Sequence, residues 1–136
     1  MRKLFLWVGL FSLVASGAQA ASYQMIDGTI VDPIQFTYGG DSDYPGIDLE
    51  PYANLTDANL KFSDLPYADL SFATLIDTFL IETNLTNANL IGAHLNNANL
   101  AEAILTNANL GNATYNAYTV FPSGFDPVSE GMLLVP

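Results

Sequence analysis

Cysteine is absent from all 136 residues. That excludes disulfides, thiolate metal ligands and a cysteine nucleophile. Basic residues are almost as scarce. Arg2, Lys3 and Lys61 stand against fourteen acids, a formal charge of −11. Such a chain is unsuited to nucleic acid or an anionic membrane surface, because phosphate contacts need lysine and arginine. Histidine occurs once, as His94. A zinc site needs three or four nitrogen or sulfur ligands, so His94 cannot build one and reads as an outward-facing surface residue. No apolar run approaches the roughly twenty residues of a membrane-spanning helix. There is also no glycine-rich phosphate loop, no dinucleotide fingerprint and no nucleophile elbow.

Leucine, in contrast, stands at every fifth position from Leu55 to Leu110, twelve times without a gap. The residue two places earlier is small each time: Ala53, Ala58, Ser63, Ala68, Ala73, Thr78, Thr83, Ala88, Ala93, Ala98, Ala103 and Ala108. A period of five suits neither a helix, which repeats near 3.6, nor a strand, which repeats at 2. Within one unit, however, the small residue and the leucine share a face of an extended backbone. A corner after each unit keeps every such pair pointing inward. The result is a solenoid with a leucine and alanine interior.

The units Ala53-Asn54-Leu55, Ala58-Asn59-Leu60, Ala68-Asp69-Leu70, Ala88-Asn89-Leu90, Ala98-Asn99-Leu100 and Ala108-Asn109-Leu110 resemble the A(N/D)LXX unit of the pentapeptide-repeat family. The resemblance covers residues 53–117, with a last unit centred on Tyr115. It implies an all-β fold, a right-handed quadrilateral β-helix with four units per coil, and no catalytic motif. Thirteen units then make about three coils, roughly 15 Å tall at the strand spacing. Residues from Tyr115 to Pro127 resemble a YNxxTxFPxGFDP segment that often follows such repeats in bacterial proteins.

The chain divides into four stretches. Residues 1–20 read as a secretory signal: Arg2 and Lys3, the apolar run Leu4 to Val14, and the small-x-small site Ala18-Gln19-Ala20. The alternative is a retained anchor, for which the run is short. Export leaves fourteen acids and Lys61, a charge of 1 minus 14, or −13. Residues 21–52 form an irregular N-terminal cap segment carrying Ile30, Val31, Ile34 and Phe36. Residues 53–117 are the repeat, and residues 118–136 a C-terminal cap. Caps are needed because bare strand edges template aggregation. The closing Leu133-Leu134-Val135-Pro136 resembles the point from which some exported bacterial proteins continue into a Glu-Pro sorting signal.

Three further features merit testing as sites. The acidic loop with Asp41, Asp43, Asp48 and Glu50 opens like a calcium loop. Pro45 and Tyr52 then stand where ligands should be, so a weak calcium site competes with a solvated loop. Residues twenty apart should stack, which puts Asp57 on Asp77 and Glu82 on Glu102, about 5 Å apart at the backbone. Paired carboxylates at that spacing suit a retaining glycosidase or a bridging cation, but a convex face favours two solvated side chains. Phe62, Tyr67 and Phe72, followed by Ile76, Phe79 and Ile81, should form an outward apolar belt. The N-terminal segment either folds over that belt or leaves it to a protein, glycan or second copy. The three Asn-x-Thr sequons, at Asn54, Asn84 and Asn112, follow from the repeat itself.

No catalytic, cofactor or metal residue is therefore assigned. The expected function is an exported, non-enzymatic structural, adhesive or protein-interaction role at the bacterial envelope or outside the cell. The alternative is an acidic mimic of duplex DNA that binds a type II topoisomerase, as some cytoplasmic members of the family do. A glycan-active enzyme is a third reading, resting only on the stacked carboxylates.

Overall fold

Each five-residue unit closes on itself with one backbone bond. The N–H of the small residue donates to the carbonyl of the leucine three places earlier, as from Ala58 to Leu55 at 3.0 Å and from Ala88 to Leu85 at 3.0 Å. The second central residue of that turn takes positive φ, near +60°. Positive φ occurs at every fifth position from Tyr52 to Asn112, twelve times at a residue with a side chain and once at Gly92. The corner turns the backbone onto the next side of the coil, so the small residue and leucine of the next unit again face inward.

The computed structural model describes residues 23–25, 27–31, 35–36 and 49–136. The proposed leader 1–20, the loop acids Asp41, Asp43 and Asp48, and Ile34 lie outside the described residues. Among those described there is no helix, and none therefore long and apolar enough to cross a membrane.

Units stack at a spacing of twenty residues. Parallel bridges join Asn54 to Thr74, Thr74 to His94 and His94 to Thr114 on one side. Asn59, Phe79 and Asn99 form the second side, Asp64, Asn84 and Ile104 the third, and Asp69, Asn89 and Asn109 the fourth. Four units thus separate bridged residues, which makes the repeat a β-helix. The interior is continuous. All twelve small residues are buried, and eleven of the twelve repeat leucines are at most 1 % exposed. Leu105 departs from the expected pattern: it is only partly buried, and among the described residues no strand lies above its side of the coil. Leu49, one place ahead of the five-residue register, is also fully buried.

Thr78 and Thr83 enter the interior with their hydroxyls satisfied. Thr78 Oγ1 donates to the Leu55 carbonyl at 2.8 Å, and Thr83 Oγ1 to that of Leu60 at 2.7 Å. A buried hydroxyl is tolerated only with such a partner.

The two ends are finished differently. At the N-terminal end, β1 (Tyr23–Gln24) pairs antiparallel with β2 (Ile30–Val31). Met25 bridges Ala68, and the Asp69 N–H donates to the Gln24 carbonyl at 2.6 Å. β3 (Gln35–Phe36) pairs antiparallel with β4 (Ser63–Asp64). The third and fourth sides are thereby closed from below. At the C-terminal end the tail is more regular than an irregular cap. Val120 continues the second side above Asn99, and β5 (Thr114–Tyr115) pairs parallel with β6 (Leu133–Leu134) on the first. Between these contacts Tyr115, Phe121 and Phe125 pack against the end of the core. Phe121 meets Tyr115 edge-on at 5.5 Å and stacks on Phe125 at 5.0 Å.

Candidate interaction surface

The outer surface is organised in columns. In the position before seven of the twelve repeat leucines, an Asn or Asp side chain accepts the N–H two residues on. Asn84 Oδ1 takes the Thr86 N–H at 3.0 Å, and Asn99 Oδ1 the Ala101 N–H at 3.0 Å. This Asx turn pre-forms the corner and explains the residue preference. The amide ends then join coil to coil. Asn84 Nδ2 donates to Asp64 Oδ1 at 2.6 Å and Asn89 Nδ2 to Asp69 Oδ1 at 3.0 Å. Asparagine above aspartate supplies a neutral donor to each carboxylate, so these columns hold acids without stacking like charges.

The sequence places Asp57 below Asp77 and Glu82 below Glu102, and the backbone agrees. The Asp57 N–H donates to the Ile76 carbonyl and the Glu82 N–H to the Ala101 carbonyl, both at 3.0 Å. Asp77 turns to Asn97, whose Nδ2 donates to Oδ1 at 2.9 Å. These corners lie on the convex outside, and no group of three or more metal-ligating side chains occurs among the described residues. Glu50 is exposed at the first corner. His94 is exposed, with Nδ1 3.0 Å from Thr114 Oγ1.

The apolar belt is present in part, since Ile76 and Ile81 are only partly exposed. Phe62, Tyr67, Phe72 and Phe79 are 38–48 % exposed. Three of these aromatics occupy left-handed corners: Phe62, Tyr67 and Phe72. Tyr52, at the corner below Phe72, stacks on it with centroids 5.2 Å apart and planes 10° from parallel. On the other side Phe72 lies against Gly92, where an added Cβ would stand 2.6 Å from the ring. Lys61 sets its ammonium 4.8 Å from the Phe79 centroid. The side chains of Ile30, Val31 and Phe36 lie outside the described residues, as does the expected cover over the belt. A recess of about 630 Å³ beside the tail is lined by Asn97, Asn116, Tyr118, Leu134 and their neighbours. No acid or histidine side chain lines it.

Sequence reasoning missed Leu49, the buried threonine hydroxyls and the Tyr52–Phe72 stack. The last was accessible, since Tyr52 stands twenty residues before Phe72.

The family model described as pentapeptide repeats matches in eight copies, over residues 53–90 and 83–114. The chain belongs to the pentapeptide-repeat family. Among solved structures, a pentapeptide repeat protein from Nostoc Pcc 7120 is similar, with 35 % identity over 62 % of this chain and 82 % of that one, at a TM-score of 0.36. No curated protein matches. The pentapeptide-repeat assignment accounts for the corner, the Asx turn and the leucine interior together.

Proposed function

We propose that this pentapeptide-repeat protein is exported and works without catalysis, as a rigid acidic surface that engages a partner at the bacterial envelope or outside the cell. Its coil on this reading is right-handed and of about three turns, from thirteen units at four per turn. The supporting observation is the exposed belt of Phe62, Tyr67, Phe72 and Phe79 on a frame of backbone ladders. Exposed aromatics gathered on consecutive corners suit an interaction surface, for a protein, a glycan or a second copy. The leader-like residues 1–20 support export.

Expression of residues 1–136 followed by fractionation and intact-mass measurement tests this. The expected product begins at Ala21 and is found outside the cytoplasm. A product retaining residues 1–20 in the cytoplasm would favour the second reading, a DNA mimic acting on a type II topoisomerase. The net charge of −11 is what keeps that reading in view. A supercoiling assay would then show inhibition at stoichiometric protein.

A further inference from the structure

Among the described residues the backbone ladder has a gap at the C-terminal end. From Leu55 to Leu100 every repeat leucine donates its N–H to a carbonyl on the rung above, Leu85 to Ile104 and Leu90 to Asn109 among them. The next two, Leu105 and Leu110, have no such acceptor among the described residues. The corner amides behave alike. Asp77, Glu82 and Asn87 donate upward to Asn96, Ala101 and Thr106, whereas Glu102 and Asn107 have no acceptor among the described residues. On either side of the gap the ladder resumes, with Leu100 donating to Val120 and Asn112 to Gly131. Among the described residues the tail therefore closes the first and second sides and leaves the third and fourth open along residues 102–110.

Two further observations mark this edge. Leu105 is the only repeat leucine that is not buried, and Ile104 beside it is 43 % exposed. An apolar strip thus runs next to the unpaired N–H groups. The surroundings are acidic: Glu102 is on the edge, Glu82 is directly below it, and Glu130 precedes Gly131 where the ladder resumes. A second copy would bring the same negative charge.

We propose that the edge at residues 102–110 takes an extended, basic segment of a partner protein as an added strand. Backbone pairing to Leu105, Asn107 and Leu110 supplies affinity, alternate apolar side chains cover Ile104 and Leu105, and the intervening basic side chains meet the acids. The segment must turn the corner at Asn107, so a residue that accepts positive φ, glycine or asparagine, belongs at its centre. This deepens the interaction reading above and rests on it.

The probe is a nine-residue peptide with lysine and valine alternating on either side of a central glycine. Its control carries N-methyl groups on alternate amides, which keep charge and apolarity but remove strand pairing. The full chain is titrated with each, and amide hydrogen exchange is read residue by residue. The expected result is at least tenfold weaker binding of the control, with slowed exchange at Leu105 and Leu110. Ile104→Lys, at an exposed position, should weaken the peptide similarly and leave the circular dichroism unchanged. Equal binding of both peptides, no binding, or Leu105 and Leu110 already protected in the free chain would each overturn the proposal. Protection confined to Tyr52, Phe62, Tyr67 and Phe72 would overturn it while sustaining the broader interaction reading.

Discussion

Leu85 and Leu90 are each fully buried between rungs above and below. Truncating either to alanine should cost about 2–5 kcal/mol by lost burial and an unfilled cavity. Denaturant titration measures it, and Leu105→Ala should cost less because its side chain is only partly buried. Thr78 offers a finer test. Its hydroxyl and the Ala58 N–H both reach the Leu55 carbonyl. Thr78→Val keeps the shape and leaves that carbonyl one bond, so the expected loss is near 1 kcal/mol. Tyr67 points the other way. It holds a left-handed corner below Asn87, which itself accepts from Asn107 Nδ2 at 3.3 Å. Asparagine tolerates that backbone better than tyrosine. Tyr67→Asn should extend the ladder and raise the melting temperature, and a lower one would show the ring contributes more than its backbone costs. The alternation of small residue and leucine was plain in the sequence because it is a burial pattern. The threonine hydroxyl bonds were not, because a buried Thr and a buried Ala look alike until the carbonyl opposite is known.

At the scale of an element, the corner is the unit that decides stability. Most corners combine an Asx turn below with a residue of positive φ, and the Asn and Asp preference before leucine already signals this in the sequence. Gly92 is different, because it has two reasons to lack a side chain: φ of +66° and the Phe72 ring packed against it from below. Gly92→Ala should destabilise by about 1–3 kcal/mol. Adding Phe72→Ala to it should relieve the clash and leave the backbone strain, so thermal melts of the single and double variants separate the two. The ends were the least legible elements. β3 and the Met25 bridge run antiparallel to the coil, a pairing no five-residue beat encodes. The tail slips register by one residue at Val120, bridged twenty-one places after Asn99. A fixed period predicts neither a reversal nor a slip.

Over the whole molecule, charge opposes the fold while the ladders hold it. With a net charge of −11, self-repulsion should weaken as salt is added. The melting temperature is expected to rise between low salt and about 0.5 M sodium chloride, where the screening length falls to a few ångströms. Calcium at matched ionic strength should add nothing, and a further rise would assign a cation to the acidic residues near Glu50. The claim on which the rest depends is that bridged residues stand twenty apart in the chain. The absence of cysteine permits a clean measurement of it. Thr74 and His94 are bridged outward-facing neighbours, whereas Thr74 and Asn89 belong to different sides of the coil. Adjacent strands place paired Cα atoms about 5 Å apart, within disulfide range. The double variant Thr74→Cys with His94→Cys should crosslink on mild oxidation and lose two hydrogens by intact mass. Thr74→Cys with Asn89→Cys should remain reduced. Crosslinking of the second pair in preference to the first would contradict the twenty-residue coil, and with it the surface built upon it.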